Sequence, residues 1–410
     1  MMQRVGWPAL GRPRLPRWVA WCHAPDRAVR ATGYMGGLTA HAMVASGARP
    51  VLAGRDKGRL DAVAARISQA VGGATLETAA AGAAGPGPLR DLLGPGDVLV
   101  STAGPFLKVG RPVVAAAVDA GAIYLDSSGE PPFIRAVFDE FAPRAERTGA
   151  VLLTAFGYDY VPGNLAGALA LEEAGPGGAQ VRVGYFVRGD IRRASSAGTR
   201  ASVAGVLLEA GYAFRSGHIV TERTAAHVTS FEVDGKTKPA FSIGSSEHFT
   251  LPRLRPRAAG ATGATGIAAQ APLTDVGVFL GWFGSATRLV QAGSALATPL
   301  GRLPGMRRAL DALARRIQGG RAGPGAAQAI GSDVVAVASD ARGRTMATVH
   351  LTGGEPYSFT ALVLAWAAGK AAADGVRPAG ALGPVEAFGA RELESACAAA
   401  GFRREPAAPG

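Results

Sequence analysis

Cysteine is almost missing from this chain: 410 residues contain only Cys22 and Cys397. The two match no CxxC or metal-ligand spacing, which argues against a disulfide framework and a zinc site. The six histidines show no HExxH or related spacing, so no metal is expected. No run reaches the ~18 apolar residues that a membrane-spanning helix needs. Residues 1–25 mix Trp7, Trp18 and Trp21 with Arg and Pro, and lack the apolar stretch and small-residue cleavage site of a signal peptide. A cytoplasmic protein is expected, with membrane association as the alternative. Acidic residues are also the scarcer charge, 31 against 43 basic, for a net charge of +12. A basic balance invites nucleic acid. Yet the basic residues are overwhelmingly Arg, dispersed, and accompanied by no helix-turn-helix, finger or aromatic-basic platform, so no nucleic-acid partner is expected.

What is present is apolar: 48% of the chain is hydrophobic, enough at this length for two domains or one elaborated α/β domain. The first half alternates strand-like and helical runs, the signature of βαβ units and a parallel sheet. Val51–Gly54, Asp97–Ser101, Ala122–Leu125 and Val151–Phe156 read as buried strands, and Arg59–Val71 and Val113–Ala120 as helices. After about residue 178 the pattern becomes that of an antiparallel sheet, with strands over Gln180–Val187, Val228–Val233, Lys238–Ile243, Asp333–Ser339 and Thr345–Leu351. Asp340-Ala341-Arg342-Gly343 supplies turn chemistry for a hairpin between the last two. Residues 252–272 read as a mobile loop, and Val276–Leu300 as an apolar helix. The fold class is therefore α/β: a Rossmann-type doubly wound parallel sheet with a second, α+β domain that contains a largely antiparallel sheet.

The strongest local motif is Ala31-Thr32-Gly33-Tyr34-Met35-Gly36-Gly37 before a helical run. Glycines at such a turn let the backbone approach a pyrophosphate held by the helix N-terminus. About twenty residues on, where an acidic residue would bind a ribose 2′-hydroxyl, stands Ala53-Gly54-Arg55-Asp56. Arg55 can pair with a 2′-phosphate instead, which predicts NADP as cofactor. Asp56 is a ribose-ligand candidate with a competing reading as the N-cap of the next helix. Arg59 is a second candidate for the phosphate, against a solvated surface position. Ser101-Thr102-Ala103-Gly104-Pro105-Phe106 is the third loop at a strand end. The cofactor-binding candidates are thus Thr32, Gly33, Tyr34, Met35, Gly36, Arg55, Asp56, Thr102, Gly104 and Pro105.

These motifs together resemble the saccharopine dehydrogenase-like superfamily, and within it the trans-acting enoyl reductase branch. Arg30-Ala31-Thr32-Gly33-Tyr34-Met35-Gly36 is similar to the family's Gly-Ala-Thr-Gly-Tyr-Thr-Gly, and Val51–Asp56 to its second strand and phosphate-binding turn. Further matches are Gly104-Pro105-Phe106, Tyr124–Glu130 and Gly157-Tyr158-Asp159-Tyr160-Val161-Pro162-Gly163-Asn164-Leu165, with weaker ones at Ser196–Thr199 and Glu355–Tyr357. Arg30 departs from the family's first glycine, and Cys22–Val29 lacks the apolar run expected of a first, central strand. Two readings follow: a different start or frame upstream, or a damaged cofactor loop. The resemblance implies an acyl or polyketide chain on a carrier as substrate.

Beyond the cofactor, Tyr158 and Tyr160 are the candidate proton donors and Asp159 an orienting partner, against a plain reading as half-buried aromatics and an interdomain turn. Glu130 has a second reading as a helix-start carboxylate. Gly157–Gly163 is no nucleophile elbow, since no Ser sits at its centre. Phe279–Phe283, with Arg288, Arg302, Arg307 and Arg308 near it, reads as pocket lining, a membrane-facing surface, or core and dimer packing. The expected division is an atypical segment 1–25, an NADP-binding domain 26–160, a substrate and dimerisation domain 161–380, and a segment 381–410 docking back on the first domain. The leading functional expectation is an NADP-dependent reductase of an enoyl or keto group in a lipid or polyketide intermediate. A small-molecule or carrier-bound acyl substrate, peripheral membrane contact and a homodimer are the expected partners. The alternatives are a saccharopine-type amino-acid dehydrogenase, for which no paired arginines are evident, and a catalytically silent lipid-associated protein.

Overall fold

The computed structural model describes residues 18–21, 34–81, 87–189, 210–255, 272–300 and 330–406. Within them the chain runs β1 (Trp18–Trp21), α1 (Tyr34–Ala45), β2 (Val51–Gly54), α2 (Lys57–Ala70), β3 (Thr78–Ala80), α3 (Gly87–Arg90), β4 (Val98–Ser101), α4 (Phe106–Ala120), β5 (Ile123–Asp126), α5 (Pro131–Ala136), α6 (Ala142–Thr148), β6 (Val151–Leu153) and α7 (Val161–Ala174). There follow β7 (Gln180–Arg188), β8 (Ala210–Arg215), β9 (His218–Arg223), β10 (Val228–Val233), β11 (Lys236–Ser242), α8 (Glu247–Thr250), β12 (Asp275–Leu280), α9 (Thr287–Leu300), β13 (Gly331–Ser339) and β14 (Thr345–Gly353). The last elements are α10 (Pro356–Asp374), β15 (Gly380–Ala381), α11 (Pro384–Phe388), α12 (Ala390–Ala399) and β16 (Phe402–Arg404).

The first sheet has the order β15-β6-β5-β4-β1-β2-β3, and every pair in it is parallel. Its strands β2, β4, β5 and β6 are buried at every position. A strand covered on both faces reads as an unbroken apolar run, which is why these four are visible in the sequence. α1 and α10 pack on each other and α10 covers β4 and β5, whereas α4 and α6 pack against β4, β5 and β6. The central strand is the element that sequence reading misplaces. It lies at Trp18–Trp21, between β2 and β4, upstream of the Cys22–Val29 segment searched for it. β3 and β15, three and two residues long, are too short to leave a pattern.

The second sheet runs β10-β11-β12-β7-β13-β14-β16, with β8 and β9 branching from β12. It is antiparallel apart from β12 against β7. The expected hairpin is β13 and β14: Asp340 Oδ1 accepts the amides of Arg342 and Arg344 at 3.0 and 2.9 Å and shapes the turn between them. The expected helix over Val276–Leu300 is corrected. Asp275–Leu280 is a strand, and the helix starts only at Thr287. Val276, Val278 and Leu280 face the main core while Phe279 joins a smaller cluster on the other face with Phe186 and Phe231. A run apolar at every position therefore serves two faces of a sheet. Of the expected loop 252–272, residues 256–271 lie outside the described residues, as does Ser196–Thr199.

α7 carries the chain from one sheet to the other and packs on β7, β13 and β14. The chain then returns: α10 lies on the first sheet and β15 joins its edge, while β16 adds to the second. The turn after β6 thus meets the second sheet, where Tyr158 and Tyr160 lie against Tyr185 of β7.

Candidate active site

In the first sheet the strand order reverses between β1 and β4, and a doubly wound sheet holds its ligand outside the carboxyl ends of the strands at that reversal. Three segments are the candidates for this place. The first is the start of α1. Tyr34, Met35 and Gly36 form the first turn of this helix, with Gly36 buried and no acidic residue among the first residues. Thr32 and Gly33, and with them Arg30, lie outside the described residues. Tyr34 is exposed and meets Tyr357 of α10 edge to face, with ring centroids 5.3 Å apart.

The second loop follows β2. Gly54 is buried and Arg55 exposed. Asp56 takes the capping role: its Oδ1 accepts the Arg59 amide at 3.0 Å, and its Oδ2 pairs with Arg59 Nε at 3.1 Å. Both oxygens of Asp56 and the head of Arg59 are therefore engaged with each other at the start of α2.

The third loop follows β4, where Thr102, Gly104 and Pro105 are half-buried. The helix they lead into, α4, has its first amides taken. Glu130, 4% exposed, accepts Phe106 N at 2.9 Å and Leu107 N at 3.0 Å. It is a helix-start carboxylate, as one of its two sequence readings has it, but of a helix 24 residues earlier in the chain. Glu355 does the same for α10, accepting the amides of Tyr357 and Ser358 at 2.9 and 2.7 Å.

Beyond these loops, the turn after β6 carries Tyr158, Asp159 and Tyr160. These three consecutive residues lie at the junction of the two sheets. Tyr158 and Tyr160 are buried, at 4% and 2% exposure, and both meet Tyr185 of β7 edge to face. Burial raises both hydroxyls well above the ordinary phenol range, which makes them weak acids and leaves them as hydrogen-bond donors. Asp159 behaves differently: burial pushes its carboxyl up to about 6. Its side chain lies against Gly129, where an added Cβ would stand 2.8 Å from Oδ2. The turn is held from behind by Thr360 of α10, whose Oγ1 accepts the Tyr158 amide at 2.9 Å.

Sequence reading missed the residues that face this turn from the second sheet. Tyr185 Oη donates to Glu247 Oε1 at 2.6 Å, and Glu247, fully buried, is pushed up to about 7 by its loss of solvent. Asn164 donates to Ser246 Oγ at 3.0 Å, and Thr250 Oγ1 donates to Asn164 Oδ1. His248 Nδ1 accepts the Ser245 amide at 3.1 Å, and burial holds this imidazole down at about 3, neutral. The available signal was Ser245-Ser246-Glu247-His248, four consecutive polar residues shortly after a strand, with Ile243 and Gly244 between. On the first sheet Asp126 has a similar setting: buried, pushed up to about 6, and tied by Ser128 N, Ala155 N and Thr154 Oγ1 at 2.8 to 2.9 Å.

Among the described residues no helix is long and apolar enough to cross a membrane. The domain family described as saccharopine dehydrogenase NADP binding domain matches residues 31–153. A Mycobacterium tuberculosis protein provisionally named a trans-acting enoyl reductase is 38% identical over 138 residues, 33% of this chain and 32% of that protein. A protein named trans-acting enoyl reductase, from the same organism, is 37% identical over 137 residues, again 33% of this chain and 32% of its own. The chain thus spans about a third of the length of the curated relatives it matches. Among solved structures, the DAP dehydrogenase of C. glutamicum is 14% identical, with 92% of this chain and 95% of that chain covered and a TM-score of 0.39, a likeness too loose to carry an argument. Over residues 31–153 the chain is therefore similar to the saccharopine dehydrogenase NADP binding domain, the superfamily that its loop motifs resemble, and about a third of it is similar to proteins named trans-acting enoyl reductase.

Proposed function

We propose that the protein is an NADP-dependent oxidoreductase that reduces an enoyl or keto group of a lipid or polyketide intermediate. The observation that carries the cofactor reading is Arg55, a guanidinium at the exposed carboxyl end of β2, where an acidic side chain would favour NAD. Fit to a dinucleotide is supported by the helix starts. α2, α4 and α10 already hold the carboxylates of Asp56, Glu130 and Glu355. α1 begins beside the strand reversal with no acidic residue in its first turn, and its partial positive charge suits a pyrophosphate. Tyr34, Met35 and Gly36, with Arg55, would hold the cofactor, and Thr102, Gly104 and Pro105 would flank it.

A bound nicotinamide supplies the hydride. The chain's own task is to place the substrate and deliver a proton. Asp159 suits the second role, because a carboxyl raised to about 6 still carries a proton in part of the population near neutral pH. Tyr158 and Tyr160 then wall the site. The reduced group is assigned from the names of the relatives, and its lipid or polyketide setting from the motif resemblance.

Titration of the purified protein with NADPH and NADH, followed by nicotinamide fluorescence, tests the reading with an Arg55→Ala variant alongside. NADPH binding that the variant weakens at least about tenfold, with NADH little changed, supports it. Binding of neither nucleotide overturns it.

A further inference from the structure

α9 packs on β9, β10 and β11 of the second sheet, and the side it turns inward is polar. Thr287 and Ser294 are buried, and Gln291 between them is half-buried. Gln291 Nε2 donates to Ala226 O at 3.1 Å, while Arg223 Nη1 donates to Ser294 Oγ and to Gln291 O. Val290 is the large apolar side chain of α9 that packs against the core. Leu289 and Leu296 stand on the outside at 74% and 68% exposure, the most exposed large apolar side chains among the described residues. Seven residues apart, they lie two helical turns from each other, and with the exposed Ala292 and Gly293 they form one stripe. An ordinary surface helix is arranged the other way, apolar toward the core and polar toward water. Leucines left in water forgo the gain that burial gives them, so such a stripe has the composition of a contact surface.

Charge decides what kind of partner fits it. Arg288 is exposed beside Leu289. From residue 284 to residue 330 the sequence holds seven arginines and one acid, Asp311, with no Lys, Glu or His. A second copy of the chain, related by a two-fold axis, would set this positive run against itself. A nucleic acid would accept the charge but offers its phosphates nothing to bury the leucines. An anionic lipid surface takes both, with headgroups for the arginines and the acyl boundary for the leucines. At 14 residues α9 is too short to cross a bilayer and suited to lying on one.

We propose that the outer face of α9, Leu289 and Leu296 with Arg288 at its edge, docks the protein on an anionic lipid bilayer. The inference does not rest on the oxidoreductase reading, which the NADPH titration tests separately. Co-sedimentation with vesicles measures it. The wild type should partition onto phosphatidylcholine vesicles that contain phosphatidylglycerol about tenfold better or more than onto phosphatidylcholine alone. A Leu289→Gln, Leu296→Gln double variant should lose about tenfold or more of that binding, with the ligand-free melting temperature and NADPH binding unchanged. Arg288→Gln should lower it about fivefold. Failure of the wild type to bind the anionic vesicles overturns the proposal, as does equal binding to both vesicle types. So does binding that is undiminished in the double variant, the mark of charge adsorption alone. A double variant that melts several degrees lower would show that the leucines are covered within the fold, and a wild-type dimer that the double variant dissociates would assign the stripe to a second copy; each sinks the lipid assignment.

Discussion

Glu130 reaches across from the end of β5 to Phe106, taking its amide at 2.9 Å and that of Leu107 at 3.0 Å. The two strand-end turns of β4 and β5 are thereby fastened together, and the positive end of α4 is satisfied from within the protein. An anion arriving at the carboxyl edge of the sheet therefore has little to gain at α4, and more at α1.

Removing this carboxylate should loosen α4 at its start. Glu130→Ala leaves one buried and one part-buried amide without this acceptor and is expected to cost about 2 kcal/mol or more. Glu130→Gln keeps one acceptor oxygen and should cost less. Thermal denaturation of the two variants gives the order directly; a Gln variant as unstable as Ala would contradict the geometry.

At the end of β2 a charge reversal should act on the cofactor, because Arg55 is exposed there. Arg55→Asp replaces a 2′-phosphate partner with a side chain suited to a ribose 2′-hydroxyl. The ratio of NADPH to NADH dissociation constants should rise by about tenfold or more, with NADH binding equal to or tighter than in the wild type. An unchanged ratio would remove Arg55 from the cofactor site.

Much of this architecture was legible because parallel strands covered on both faces become short apolar runs, as Val51–Gly54 and Val98–Ser101 do. Asp56 could be read as a cap because capping is local, three residues from acceptor to donor. What stayed hidden is non-local or very short. β1 is four residues set among Arg and Pro, and β15 is Gly380-Ala381 alone. Asp275–Leu280 reads equally as strand or helix by apolar content, and only its pairing to β7 decides. The Tyr185–Glu247 hydrogen bond joins residues 62 apart, and no periodicity reports such a contact. The carboxylate on α4 was hidden for the same reason, since Glu130 stands in front of a different helix.

Gly163 in the first turn of α7 tests the packing of that hidden pair. A Cβ there would run into the Tyr185 hydroxyl and the Glu247 carboxylate, both buried. Gly163→Ala should therefore destabilise the protein by about 2 kcal/mol or more, although Ala is the better helix former by about 1 kcal/mol. A melting temperature equal to or above that of the wild type would mean that Tyr185 and Glu247 do not hold the positions described.

Glu247 itself should write a pH dependence into stability. Its carboxyl ionises at about 7 in the folded protein against an ordinary value near 4.3. A raised carboxyl binds its proton more tightly when folded, so its contribution is complete below the unfolded value and is lost as pH climbs through about 7. Glu247→Gln keeps an oxygen to accept the Tyr185 hydroxyl and removes the titration. The melting temperature of the wild type minus that of the variant should thus fall steadily between pH 5 and pH 8. His248 works in the opposite direction, since an imidazole held down at about 3 withdraws stability as pH drops below its ordinary range. That term is common to both proteins and cancels in the difference. A difference that is flat across the range would show that Glu247 is ionised in the fold at pH 5, which its full burial argues against.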